Sequence, residues 1–311
     1  MIVKGIGATT HMDRHNCRIA KEALEDAVKD INEGLYAVGV GMEHDPTVMP
    51  IGKVLSGRMV TFEDGEYGIE IEQEIFEKYR IYKDAENEKW YIVESETDNR
   101  PFADTLAETI RNMKVAIDPV NFSSEDYEKL LEFYEKDCSL DTECFIRKSV
   151  VPDPEIVFTF VKGTLAVLAG KKITEKLAGQ MANDAVKLYE VIKKAVLETL
   201  KRLKPGNKPI AYVMKEYNPY LIELVVVAET PEPLLEALQP EKTRQIEKRI
   251  ESFTNTFDVD IAKIQCIYNI ERQKWEVNYV STKEGQVIGS EKCYKKTTEL
   301  VKKIRTESEE D

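Results

Sequence analysis

The sequence predicts an α+β fold in which an N-terminal β-rich, barrel-like domain is followed by a helical segment and a mixed α/β C-terminal domain. Three observations carry this reading. β-branched and aromatic residues crowd three stretches between residues 35 and 97, after one helix-spaced stretch. Apolar residues return at helical spacing over 100–150, and beyond 155 strand-like runs alternate with helical ones. The 311 residues exceed one typical core, and the prolines of "SVVPDPE" favour an extended linker at 149–155. The expected domains are therefore 1–150, with 100–150 as a helical extension, and 151–311.

Residues 2–8 read as a strand. Ile19, Ala20, Ala23, Leu24, Ala27, Val28 and Ile31 then recur at helical spacing until Gly34, so Ala23, Leu24, Ala27 and Ile31 are expected to face the sheet. Asp64-Gly65 between two alternating runs marks a hairpin. "PFADTLAETIRNMKVAI" and "SSEDYEKLLEFYEKD" read as two helices, the second opened by Ser123 or Ser124. A strand is expected at 156–161, and a long helix from Thr174 to about Leu203. Two strands follow, joined by Asn218-Pro219. Leu221–Ala228 is apolar at nearly every position, which predicts a central strand, with Glu223 near an edge or strand end. Thr230 and Pro231 open one helix over "TPEPLLEALQPEKTRQIEKRIESF". A strand pair turns around "ERQ", and the acidic tail "RTESEED" is expected to be disordered.

A net charge of −13 repels phosphate backbones, so nucleic acid is not expected as a partner. The chain offers neither the basic and apolar segments of a signal peptide nor a run of about 20 apolar residues, which predicts a cytoplasmic protein without membrane contact. Cys17, Cys138, Cys144, Cys266 and Cys293 form no CxxC pair, so reduced thiols are expected rather than a zinc ribbon or a disulfide framework.

All three histidines fall within the first 44 residues, which directs the search for chemistry there. On a strand, His11, Asp13, His15 and Cys17 would share one face, and His11, Asp13 and His15 would be metal ligands. The alternative is a polar turn in which Asp13 and Asn16 cap backbone amides. No cofactor is expected. His44, in "EHDPTVMPIGKV", stands at a strand end, where an imidazole acts either as a general base or as a structural group.

"KGIGATTHMDRHNCRIAKEALEDA", "MEHDPTVMPIGKVLS" and "DGEYGIEIEQEIF", taken in order, resemble the phage prohead (capsid-maturation) serine proteases over about residues 2–76. The resemblance implies a herpesvirus-assemblin-like barrel, giving a prohead-protease-like N-terminal domain, and histidine-assisted serine proteolysis. It places His44 as the catalytic histidine; if the chain is such an enzyme, Asp45, His11 or His15 is expected to orient it. The family's nucleophile lies in a Ser-hydrophobic-Gly-aromatic strand, and no such tetrad follows His44. Ser149, in "KSVVPDP", is similar to a later family segment, while Ser95 at a strand end and Ser56 in "LSG" are the other candidates. The implied function is a serine peptidase-like protein acting on or sensing phage proteins. Its alternative is a catalytically inactive binding module with an oligomerisation or signalling α/β domain. A protein partner or polypeptide substrate is expected in either case, together with homo-oligomerisation.

Overall fold

The computed structural model describes residues 1–13, 18–41, 45–103, 110–144, 154–171, 184–206 and 208–309. The expected linker at 149–153 and the 174–183 part of the expected long helix lie outside them.

The chain begins with β1 (Ile2–Thr9), α1 (Lys21–Glu33) and β2 (Gly39–Val40). The hairpin β3 (Gly52–Thr61) and β4 (Tyr67–Ile75) follows. Its turn runs through Gly65 at φ +87°, a backbone angle that the Asp-Gly signal anticipates. Next come β5 (Tyr79–Lys83) and β6 (Lys89–Val93). β5 was not expected, and all of its residues are exposed. On α1, Leu24 is buried and Ala27 and Ile31 are half-buried, but Ala23 is exposed, so the inward stripe is narrower than expected.

Within the expected helical extension, Lys114–Ile117 forms strand β7 instead of continuing a helix. Helical spacing in "MKVAI" is overridden by pairing of the strand with two partners. Then come α2 (Ser124–Asp137), β8 (Asp141–Cys144), β9 (Glu155–Phe160), α3 (Thr164–Leu168) and α4 (Ala185–Arg202). Ser123 caps α2 by accepting from the Asp126 amide, and Asp184 caps α4 at Val186 and Lys187.

β10 (Ile210–Tyr217) and β11 (Leu221–Ala228) form an antiparallel hairpin. The helix expected after Thr230 is two, α5 (Glu232–Ala237) and α6 (Pro240–Thr256). Pro240 has no N–H to give and disfavours helical geometry at Gln239, which is extended at ψ 146°. β12 (Ile261–Asn269), β13 (Lys274–Thr282), β14 (Val287–Ser290) and α7 (Glu291–Glu309) complete the chain. The tail expected to be disordered is helical through Glu309.

Helices and strands in this arrangement make the fold α+β. The chain divides into two compact units, residues 1–106, 259–263 and 278–311, and residues 107–258 and 264–277. In the first, β1, β4, β3 and β2 form a four-stranded antiparallel sheet in that order. α1 is tied to it where the Asn32 amide bonds both the carbonyl and the N–H of Gly57 (2.9 and 3.0 Å). The same unit holds the order β5-β6-β14 followed by residues 278–282 of β13, and a core of Met49, Val93, Phe102, Tyr279, Val287 and Cys293. In the second unit residues 264–269 of β12 are followed by the order β11-β10-β9-β7-β8, with Ala116, Val157, Val213 and Val225 packed together. β11 is interior, as its apolar run predicts. Glu223, third in that strand, is buried and satisfied by Gln265 (2.6 Å) and Lys215 (3.5 Å) rather than placed at a sheet edge. Among the described residues no helix is long and apolar enough to cross a membrane.

Candidate functional site

Among the described candidates, His11, Asp45, Ser56 and Ser95 lie in the first unit and fall into separate clusters. His15 and His44 lie outside the described residues, as does Ser149. His11, just past the end of β1, bonds through Nε2 to Asp64 Oδ2 at 2.9 Å, and its ring tilts against Phe62. Asp64 belongs to the β3–β4 turn, where its other oxygen accepts the Glu66 amide. The pair is a carboxylate-oriented imidazole that linear spacing did not reveal. Beside it, buried Thr10 donates to the Glu66 carboxylate and accepts from the Tyr67 amide, and Arg18 binds both Glu66 and the Thr10 carbonyl. Asp13 is half-buried. Among the described residues no three His, Cys, Asp or Glu side chains gather in a metal-binding group, and His11 is engaged by Asp64.

Asp45 opens the turn that leads into β3. Its Oδ1 accepts the amide (3.0 Å) and hydroxyl (2.5 Å) of Thr47, and its Oδ2 pairs with Lys296 of α7 at 2.5 Å. Lys296 also donates to the Thr47 hydroxyl, and the Thr47 carbonyl accepts from Asn278 at 2.7 Å. Burial opposes ionisation of Asp45, but bonds from Lys296 and Thr47 outweigh it and hold the carboxyl below its ordinary value. Both oxygens of the expected orienting carboxylate are therefore engaged by a hydroxyl and an ammonium.

Ser95 lies two residues beyond β6. Its hydroxyl donates to buried Glu74 at 2.5 Å and accepts the amides of Thr97 (3.2 Å) and Asp98 (2.8 Å). Glu74 also accepts from the Glu96 amide and the Thr97 hydroxyl. Burial pushes Glu74 up, yet these bonds prevail and lower it, so it is a poor proton acceptor for a nucleophile. Lys53, fully buried, donates to the Asp98 and Arg100 carbonyls at 2.7 and 2.6 Å. Arg100 in turn pairs with Asp98 and reaches the Ile31 carbonyl in the last turn of α1 and the Gly34 carbonyl just past its end. Gly285, at φ +76°, makes room for the amine, since a Cβ there would lie 2.3 Å from Nζ. Burial lowers Lys53 to about 8. The 95–100 loop is thus a knot tying β3, β4, β6 and α1, with Ser95 inside it. A lysine in the otherwise apolar "VMPIGKVL" was the signal for this knot. Ser56, exposed on β3, has Glu72 as its cross-strand neighbour.

The second unit carries a cleft of about 290 Å³ between α6 and the β10–β11 hairpin. At its floor, buried Glu216 accepts the amides of Gly163 and Leu165 (2.8 and 2.7 Å), so both carboxylate oxygens are used within the fold. Burial raises it. No family model, curated protein or solved structure matches the chain.

Proposed function

We propose that this chain is a peptidase-like protein related to the phage prohead serine proteases that binds polypeptide without cleaving it. On this reading the first unit corresponds to the family's barrel, the second is an oligomerisation or signalling platform, and the polypeptides bound are phage proteins met in the cytoplasm. The engagement of the Ser95 hydroxyl supports the loss of cleavage: it donates to a carboxylate that the Glu96 amide and the Thr97 hydroxyl already stabilise as an anion. A hydroxyl so placed gains nothing from general-base activation. Asp45 points the same way, because Lys296 holds the oxygen an imidazole would need.

The peptidase reading has one observation on its side, the His11–Asp64 pair, which has the geometry of a base and its orienting carboxylate. Incubating the full chain with an unstructured polypeptide and reading new termini by mass spectrometry separates the two. Intact polypeptide is expected; fragments that disappear with His44→Ala or His11→Ala would establish proteolysis instead.

A further inference from the structure

The cleft of the second unit measures about 290 Å³, close to the roughly 300 Å³ at which pockets begin to hold small molecules. α6 contributes Ile246 and Ile250 to its walls, the β10–β11 hairpin Ile222, and α3 Leu165, while no lining residue is basic. Glu216 at the floor is only 2% exposed. The Gly163 and Leu165 amides and the Asn218 side chain bond its carboxylate, a group with about four lone-pair positions, so acceptor capacity is left over. Among the described residues no cation bonds it, and Lys162 acts on it only at a distance. A buried carboxylate without a bonded cation is costly in its charged form, and a cation entering from the cleft would remove that cost. At the mouth, Glu247 is already paired with Lys171 at 2.6 Å. Glu251, one helical turn further along α6, is exposed and bonds no cation among the described residues.

We propose that the cleft binds a linear aliphatic diamine, with one ammonium at the Glu216 carboxylate, the methylene chain along the four apolar side chains, and the second ammonium at Glu251. A separate feature calls for each part of this ligand. A neutral apolar molecule would fill the walls and leave the buried charge uncompensated. A bare metal ion would leave the walls wet, and among the described residues these carboxylates do not gather as a metal-binding group. A monoamine would satisfy Glu216 and leave Glu251 to water. Burial raises Glu216, so an ammonium beside it favours the ionised form and binding is coupled to loss of a proton. The other titratable groups around Glu216 are Lys162 ahead of α3, Tyr220 in the hairpin, and Glu247 and Glu251 on α6. The cleft lies wholly within the second unit, so the inference does not depend on the peptidase reading of the first.

The test is calorimetric titration of the full chain with 1,5-diaminopentane, n-pentylamine and 1-pentanol. Saturable binding of the diamine is expected. The monoamine should bind about threefold more weakly, since it lacks one exposed ion pair. The alcohol, which brings no charge to the floor, should bind at least about tenfold more weakly. Glu251→Gln, at an exposed position that leaves the fold intact, should lower the diamine to the affinity of the monoamine. Alkyl ammoniums stay charged from pH 5 to 8, so the diamine's affinity should rise over that range as Glu216 ionises. No saturable binding, 1-pentanol bound as tightly as the diamine, an affinity independent of pH, or Glu251→Gln without effect overturns the proposal. So does an Nα-acetyl-lysine amide that binds as tightly as the diamine, which would assign the cleft to a lysine of a polypeptide.

Discussion

Ser95 donates its hydroxyl to Glu74 across 2.5 Å, and Glu74 is the residue of β4 that also receives the Glu96 amide and the Thr97 hydroxyl. A serine expected as a nucleophile is therefore part of the joint that closes β6 onto β4. Ser95→Ala removes one bond to a buried carboxylate and the cap on two amides. It should lower stability by about 1–3 kcal/mol in urea denaturation. An unchanged midpoint would mean that the joint holds without it.

Asp45 and Lys296 fasten the turn before β3 to α7. The Asp45 carboxyl is held below its ordinary 3.8, so the pair's contribution is present above that value and is lost as the pH falls below it. Lys296 is partly exposed, which limits the pair to roughly 1 kcal/mol. Lys296→Met should flatten the acid side of the stability profile by that amount, measured as the difference between variant and parent from pH 5 downward.

Lys53 gives a slope of the same sign at alkaline pH, from a burial penalty that is relieved rather than a bond that is gained. Its folded value of about 8 lies below the ordinary 10.5, so between the two the unfolded chain holds the extra proton and stability rises with pH. Below 8 both states carry the charge and the full burial penalty applies. The parent minus Lys53→Met difference in unfolding free energy should therefore grow in the parent's favour from pH 8 to 10.5. A difference independent of pH would show that the amine is not desolvated in solution.

Leu24 is the one fully buried residue of α1 at 2% exposure, whereas Ala23 faces solvent. Leu24→Asp should cost several kcal/mol through an unpaired buried charge, and Ala23→Asp should change stability by less than about 0.5 kcal/mol. Thermal melts of the two variants test the direction of the helix. Equal losses would mean that α1 packs on the broader stripe its sequence suggests.

That pair also shows what could be read in advance. Elements set by local chemistry were legible: the Asp64-Gly65 turn, the Ser123 cap of α2, and the apolar run of β11. Elements made by distant partners were not. "MKVAI" satisfies helical spacing, but β9 supplies the Ala116↔Val157 pairing that makes it a strand. β14 pairs with β6 through Ile288↔Ile92, a partner no window of sequence contains. The site followed the same rule. A cluster of histidines near one end of the chain was visible, but the carboxylate that orients His11 comes from a hairpin turn about fifty residues on, and the groups that occupy Ser95 and Asp45 come from β4 and α7.

Labelling by a fluorophosphonate probe, read by intact mass with peptide mapping, tests the loss of serine chemistry most directly. The account predicts an unmodified chain after prolonged exposure, with Ser95 recovered unlabelled. Stoichiometric modification of Ser95, Ser56 or Ser149 that His44→Ala suppresses would contradict it and return the protein to the peptidases.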